Sequence, residues 1–178
     1  MSPGPDRRPS SSLLAEIGVS VALAFVLAFF RLANLPAGGQ VSLEMLPLLV
    51  LARRRGARAG AAAGALFGLA HIWQEPFLYH PFQVVLDYPL AFAAAGLAGL
   101  FPRGQGGDVA AALVAGAARY LCHVLSGVLF LDLFIPVATP PNRLLYSLGY
   151  NATYMVPSTL ACALLLPAIT RAMDRMGR

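Results

Sequence analysis

Lysine is absent from this 178-residue chain, and all 13 of its basic residues are arginine, set against 8 acidic residues for a formal net charge of +5. Charge of either sign is scarce at 12% of residues, while 58% are hydrophobic and the mean hydropathy is +0.68. So little charge cannot solvate the outside of a water-soluble domain, so the composition points to a single bundle with lipid as its solvent. A positive balance can signal nucleic acid, but most of these arginines sit in short gaps between apolar runs, leaving no solvated basic face. Nucleic acid is therefore excluded as a partner. Cysteine is nearly as scarce. Cys122 and Cys162 lie inside apolar runs without the short spacing of metal or redox motifs, and they read as packing residues. No G-x-x-x-x-G-K-S/T occurs, so the chain has no P-loop for ATP, and any energy must come from elsewhere.

What is present is a series of apolar runs near the length of about 20 residues that a spanning helix needs. They cover residues 13–30, 41–52, 57–73, 82–101, 109–131 and 148–170. The second is short, so it either tilts against partners or continues into the arginines that follow. The first comes after Arg7 and Arg8 and before Pro36-Ala37-Gly38, the layout of a cleaved signal peptide. It is longer than a usual signal core and carries Glu16, which favours a retained helix. The fold expected is all-α, an integral membrane bundle of six transmembrane helices over residues 13–170. A disordered N-terminus, 1–12, and a basic tail, 171–178, flank it. Arg7, Arg8, Arg53, Arg54, Arg55, Arg58, Arg103, Arg171, Arg175 and Arg178 fall in alternate gaps, and the opposite gaps hold only Arg31 and Arg143. By the positive-inside bias both termini are expected in the cytoplasm.

Small residues recur where backbones can approach. Gly56, Gly60, Gly64 and Gly68 form a stripe suited to internal packing, while Ala24 and Ala28 suit either packing or docking of another membrane protein. Polar residues converge at one depth. With about 1.5 Å of rise per residue, Asp87 lies roughly 7 Å and His123 roughly 12 Å below the outer ends of their helices. Asn151 and Tyr154 fall in the first turns of the last helix, with Tyr146 and Tyr150 at its rim, and Glu44 stands at similar depth. Ionisable groups at this depth face the interior and pair with each other or with a polar ligand. A hydrogen-bond network that only fixes helix packing is the competing reading. Pro89 removes a backbone donor beside Asp87, and either marks a broken helix at a transport site or a tolerated kink. Arg119 needs an anionic or carbonyl partner, for which Asp87 and Glu16 are candidates. His71, Glu75 and His80 lack H-E-x-x-H spacing, so neither a metal site nor an intramembrane metal-dependent enzyme is favoured.

Several segments carry a resemblance. They are Arg-Arg-Gly-x-x-x-Gly at residues 54–60, Tyr79-His80-Pro81-Phe82-Gln83 through Leu86-Asp87-Tyr88, Arg119-Tyr120 with His123-Val124-Leu125-Ser126-Gly127, and the long run from Tyr146 to Ser158. The chain from about residue 41 to 166 resembles the thiamine-specific S-components of energy-coupling-factor transporters. The resemblance implies a non-enzymatic subunit of the bacterial cell membrane that binds extracellular thiamine and works with a transmembrane coupling subunit and two ATPase subunits. No cofactor is expected. It implies that Asp87 holds the aminopyrimidine with Tyr88 beside it, that Tyr146 and Asn151 hydrogen-bond the ligand, and that His123 lies against the rings. Gly127, Tyr150 and Glu44 complete the candidate ligand-binding set, and Ala24 and Ala28 match the docking motif for the coupling subunit. Where some members carry Trp near the ligand, this chain has Phe67 and Leu131, so stacking is expected from Trp73, Phe130 or the tyrosines. A precursor of thiamine, or another vitamin, is the alternative ligand.

Overall fold

A computed structural model of the chain describes residues 10–35, 39–135 and 140–176. Six helices account for most of it. Helix α1 spans Ser11–Leu27, with the Ser10 hydroxyl accepting from the Leu13 amide at 3.3 Å as N-cap. A two-residue antiparallel ribbon follows, β1 (Ala33–Asn34) against β2 (Gln40–Val41). Helix α2 (Leu46–Arg55) and helix α3 (Ala57–His71) are separated only by Gly56, whose φ of 89° breaks the helix. Helix α4 covers Pro81–Leu100, α5 Gln105–Phe134 and α6 Arg143–Met176. These last three are long and apolar enough to cross a membrane, and α1 is a shorter apolar helix.

Boundaries differ from the sequence reading for local reasons. The run expected from residue 41 begins as strand, turns helical only at Leu46, and then takes Arg53, Arg54 and Arg55 into α2. Helix α6 starts five residues earlier than expected, because the Asn142 side chain caps it by accepting from the Leu145 amide at 2.9 Å. That early start puts Tyr146 within the first turn. At its far end α6 continues to Met176, so residues 171–176 of the expected tail are helical. Residues 1–9, most of the expected disordered N-terminus, lie outside the described residues, as do 177–178.

Arg53 is not a surface topology signal. It is buried, and its Nε meets Asp108 Oδ1 at 2.7 Å while its terminal nitrogens donate to the carbonyls of Ala98, Phe101 and Pro102 at 2.6–3.0 Å. Thr170 donates to the other Asp108 oxygen at 2.7 Å. One guanidinium thus ties the ends of α2, α4 and α6 to the start of α5. Glu16 of α1 joins this Arg-rich end through Arg55 at 3.0 Å, so the first turns of α1 and the last of α6 lie at the same end of the bundle.

Glycine on α3 brings α4 close. A Cβ on Gly64 would stand 2.1 Å from the Phe92 carbonyl oxygen, and one on Gly68 would stand 2.5 Å from the Tyr88 backbone. Gly60 meets Ala52 and Gly96 in the same way, whereas Gly56 belongs to the turn and not to the stripe. The neighbour is itself irregular. Helix α4 begins as α-helix, widens to a π turn over Leu86–Leu90, and tightens to a 3₁₀ segment over Ala94–Leu100. Pro89 lies inside the π turn, where its missing N–H is absorbed by the altered pattern. Ala24 and Ala28 are fully buried in the core, so they pack α1 onto the bundle and are not an exposed docking face. The exposed face of α1 carries Gly18, Val19, Ala22, Leu23 and Val26.

Crowding at the α3–α4 contact gives a direct prediction. Gly64→Ala forces the two backbones apart and lowers stability by about 1–3 kcal/mol. Gly106→Ala, whose Cβ would meet nothing within 4 Å, leaves the midpoint within a degree or two in thermal unfolding of the detergent-solubilised protein.

Candidate functional site

Chemistry gathers at the end opposite Arg53, where the β ribbon and the 72–80 connection meet the first turns of α4 and α6. Asp87 is at its centre, in the π turn of α4. Its Oδ2 accepts from Gln83 Nε2 at 2.7 Å and Ser126 Oγ at 2.8 Å, and its Oδ1 lies 3.1 Å from His123 Nδ1. Gln83 stands four residues before Asp87 on the same helix, and Ser126 three residues after His123, so each pair shares one helical face. A carboxylate only accepts, so His123 presents Nδ1–H to it, and in the neutral ring Nε2 is left as an acceptor.

Helix α6 supplies the opposite wall. Ser147 Oγ donates to the Val124 carbonyl at 2.9 Å, which fastens α6 to α5. Asn151 Nδ2 donates to the Ser147 carbonyl at 2.8 Å and to its hydroxyl at 3.2 Å, and the Tyr154 hydroxyl donates to Asn151 Oδ1. The carboxamide is therefore fixed before any ligand arrives. The helices approach so closely that a Cβ on Gly127 would stand 2.3 Å from Ser147 Oγ. The Tyr146 and Tyr150 rings stack with centroids 6.0 Å apart, and Tyr154 meets Tyr150 at 5.9 Å and His123 at 6.1 Å. The Tyr150 hydroxyl accepts from the Gly39 amide at 3.1 Å. Across the mouth, the Tyr88 hydroxyl donates to the Glu75 carbonyl and accepts from the Phe77 amide at 3.1 Å, pinning the 72–80 connection.

Two ion pairs frame this wall. Deep in the bundle Glu44, 1% exposed, accepts from Arg119 at 2.7 Å and from Gln40 Nε2 at 2.9 Å. The Arg119 guanidinium lies 4.0 Å over the Phe92 ring. At the surface Arg31 meets Glu75 at 2.9 Å. Burial holds the Glu75 carboxyl above its ordinary range, against the opposing pull of the Arg31 charge.

These side chains enclose a cavity with about 810 Å³ of non-atom space, the solvent at its open mouth included. Asp87, Tyr88, His123, Gly127, Tyr146, Tyr150 and Asn151 all line it. Glu44 does not. It stands behind Arg119 and Gln40, which do. Arg119 is thus partnered by Glu44, and Glu16, bonded to Arg55, lies at the far end of the bundle. Trp73 is 89% exposed and Phe130 stacks on His80 outside the cavity, so neither supplies a wall. Phe67 is a core residue, Leu131 lines the cavity, and the aromatic surface comes from Tyr88, Tyr146, Tyr150, Tyr154, Phe77, Phe92 and Phe134. His71, Glu75 and His80 do not converge. His71 contacts Gln74, Glu75 pairs with Arg31, and His80 accepts from the Phe82 amide as the cap of α4. Among the described residues no group of three or more His, Cys, Asp or Glu could hold a metal.

The sequence reading missed Gln40, Gln83, Ser126 and Ser147. Spacing could have found three of them, since Gln83 and Ser126 share faces with Asp87 and His123, and Ser147 precedes Asn151 by four residues. Gln40 lies in the ribbon, where helical periodicity carries no signal.

The family model described as thiamine transporter protein matches residues 14–177. The chain is 38% identical over 169 residues to the thiamine transporter ThiT of Bacillus subtilis (strain 168), covering 86% of this chain and 87% of that protein. It is 26% identical over 165 residues to ThiT of Lacticaseibacillus paracasei, covering 83% and 81%. A solved structure of ThiT from Listeria monocytogenes superposes with a TM-score of 0.77 at 26% identity, over 92% of this chain and 95% of that one. The S component of a bacterial ECF transporter shares the fold, with a TM-score of 0.66 at 15% identity over 94% and 98%.

The two classes of ion pair differ in what their loss costs. Glu44→Ala leaves the Arg119 charge buried and unpaired and lowers stability by about 3–5 kcal/mol. Glu16→Ala, at a partly exposed pair, costs less than about 1 kcal/mol. Thermal unfolding of both variants in detergent checks the ranking.

Proposed function

The chain belongs to the thiamine transporter family, and from that premise we propose that it is the thiamine-binding S-component of an ATP-driven energy-coupling-factor importer, a multi-pass protein of the bacterial cell membrane and not an enzyme. One observation carries the ligand. Three carboxylates stand in or directly behind the cavity wall, and two have guanidinium partners, Glu44 with Arg119 and Glu75 with Arg31. Asp87 has none among the described residues, only neutral donors and the His123 ring. The cavity therefore holds one uncompensated negative charge, which suits a ligand with one permanent cation, such as the thiazolium of thiamine.

Desolvating that cation is costly unless an opposite charge and polarisable faces replace water. Asp87 supplies the charge, and Tyr146, Tyr150 and Tyr154 supply aromatic surface. The aminopyrimidine brings an amine donor and ring-nitrogen acceptors, which fit Asp87, the remaining acceptor capacity of Asn151 Oδ1, and the Tyr146 hydroxyl. A diphosphate ester would bring two or more negative charges to a cavity that is already negative, so free thiamine is the cargo. An uncharged pyrimidine precursor would leave Asp87 uncompensated, which ranks it below thiamine.

With the Arg-rich end and both termini in the cytoplasm, by the charge bias of the loops, the cavity opens outward. Coupling to transport requires a transmembrane subunit and two ATPases, since this chain carries no P-loop. The face of α1 bearing Gly18 and Ala22 is the docking surface in this reading. It is exposed, and no neighbour lies within 4 Å of a Cβ placed on Gly18. Small residues there let a partner helix approach closely.

Calorimetric titration of detergent-purified protein tests the ligand. Saturable one-to-one thiamine binding is expected, weakened more than tenfold, about 1.4 kcal/mol, by Asp87→Asn and by Asn151→Ala. Binding of the uncharged precursor in preference to thiamine, or no saturable binding, sinks the assignment. For the partner, Gly18→Leu with Ala22→Leu is expected to abolish co-purification with the coupling subunit and leave the thiamine titration unchanged.

A further inference from the structure

Helix lengths divide the bundle into a short flank and a long one. The 17 residues of α1 rise about 25 Å and the 15 of α3 about 22 Å, less than the roughly 30 Å of a bilayer's hydrocarbon. The 30 residues of α5 and the 34 of α6 rise about 45 and 51 Å. Helix α1 packs on α3, and α5 on α6, so the difference belongs to two sides of the molecule. Ion pairs mark it as well. From Glu16, paired with Arg55, to Arg31, paired with Glu75, α1 and its last turn rise about 22 Å. From Asp108, paired with Arg53, to Asp132, paired with Arg143, α5 rises about 36 Å. Charged pairs near the surface need water or headgroups, and on the short side the two pairs stand closer together than the hydrocarbon is thick. Tilt only reduces the height a helix spans, so a short flank is met by thinning the bilayer.

The cavity end of this flank carries the side chains suited to such a boundary. Phe29, Phe30, Leu32 and Trp73 are 62–89% exposed. They form one patch, because the 72–75 turn is tied to the end of α1 twice. Gln74 donates to the Phe25 carbonyl at 2.9 Å, and Glu75 meets Arg31 at 2.9 Å. Phe29 also meets the Phe25 ring edge-on at 5.6 Å. Four large apolar side chains standing in water are costly, and the Arg31–Glu75 pair among them is costly in hydrocarbon. Only the headgroup boundary accommodates both, and it is where an indole, with an apolar body and one N–H donor, partitions.

We propose that Phe29, Phe30, Leu32 and Trp73 are an interfacial anchor, binding the headgroup boundary of the leaflet on the cavity side and holding the bilayer thinned along the α1–α3 flank. The anchor does not depend on which ligand the cavity holds. Its consequence is a tilted mouth. Glu75 and Phe77 line the cavity on the anchored side, and Phe134 and Ile135 line it at the end of α5. The first rim is set at headgroup level, while the second, beside the Asp132–Arg143 pair, stands in water.

The chain holds a single tryptophan, so its fluorescence reports the depth of Trp73 directly. The full chain is reconstituted into phosphatidylcholine vesicles brominated either next to the headgroup or near the chain end, and into unlabelled vesicles with iodide on both sides of the membrane. Trp73 emission is expected to be lost mainly to the shallow bromines, with little loss to iodide. In Leu133→Trp on a Trp73→Phe background, the indole stands at the end of α5, and its emission is expected to be lost to iodide and spared by both bromines. Both substituted side chains are exposed, so packing is left intact. Loss of Trp73 emission to iodide with neither bromine effective overturns the anchor. Loss mainly to the deep bromines also overturns it, by placing the rim inside the hydrocarbon. The same quenching pattern at both positions overturns the difference in depth between the flanks, and with it the thinning.

Discussion

Arg119 and Glu44 form the contact on which the arrangement of the cavity depends. Removing two charges from water is expensive, and the expense is recovered only when geometry is good and the remaining hydrogen-bond positions are filled. Here Arg119 comes from the middle of α5 and Glu44 from the turn just before α2, so the pair locks the first half of the chain to the second at 2.7 Å. Glu44 also orients Gln40 in the ribbon, and Gln40 reaches His71 at the end of α3. His71 in turn bonds Gln74, whose amide donates to the Phe25 carbonyl of α1 at 2.9 Å. Through one buried pair, four helices and the ribbon acquire fixed positions around the cavity floor.

The opposite end follows the same rule with different parts. Arg53 and Asp108 are each 4% exposed at the side chain and saturate one another together with backbone carbonyls and Thr170. The two clusters hold the ends of the bundle, while glycines hold its middle. Gly64 and Gly68 admit the α4 backbone, and the π turn that relieves Pro89 stands at that contact. A π turn inserts a residue relative to regular helix and so re-aims those near it. Asp87 and Tyr88 lie within it, one facing the cavity centre and the other reaching the 72–80 connection. An irregularity of α4 and a run of small residues on α3 are thus parts of one device that places a carboxylate.

Much of this was legible in the sequence, and what was not has physical causes. Six helices and the alternation of arginine follow from hydropathy and charge alone, because lipid imposes strong rules on both. Convergence of Asp87, His123, Asn151 and the tyrosines followed from helical rise. Gln40 escaped because it lies in a ribbon, and the Glu44–Arg119 pairing escaped because α2 begins later than its apolar run suggests. Arg53 was misread as a loop charge, since a buried arginine beside two exposed ones has no distinguishing pattern until Asp108 is seen opposite it. Ala24 and Ala28 were misread for the reverse reason. Small-residue spacing marks a close approach without saying which neighbour approaches, and here it is the bundle itself.

A carrier must be stable empty as well as loaded, and the site shows how one uncompensated charge can satisfy both. Asp87 without ligand is not bare, since Gln83, Ser126 and His123 surround its carboxylate with donors. Such donors fill the acceptor positions of the carboxylate without setting a guanidinium beside it. Had an arginine taken that place, the empty state would be more stable and the cation would be repelled. Had the donors been absent, the carboxylate would carry its full desolvation cost with nothing to offset it. Hydrogen-bond donors in place of a guanidinium are the arrangement that tolerates both states. Because Asn151 and Tyr154 are also fixed before binding, the ligand meets a wall that loses little freedom when it arrives.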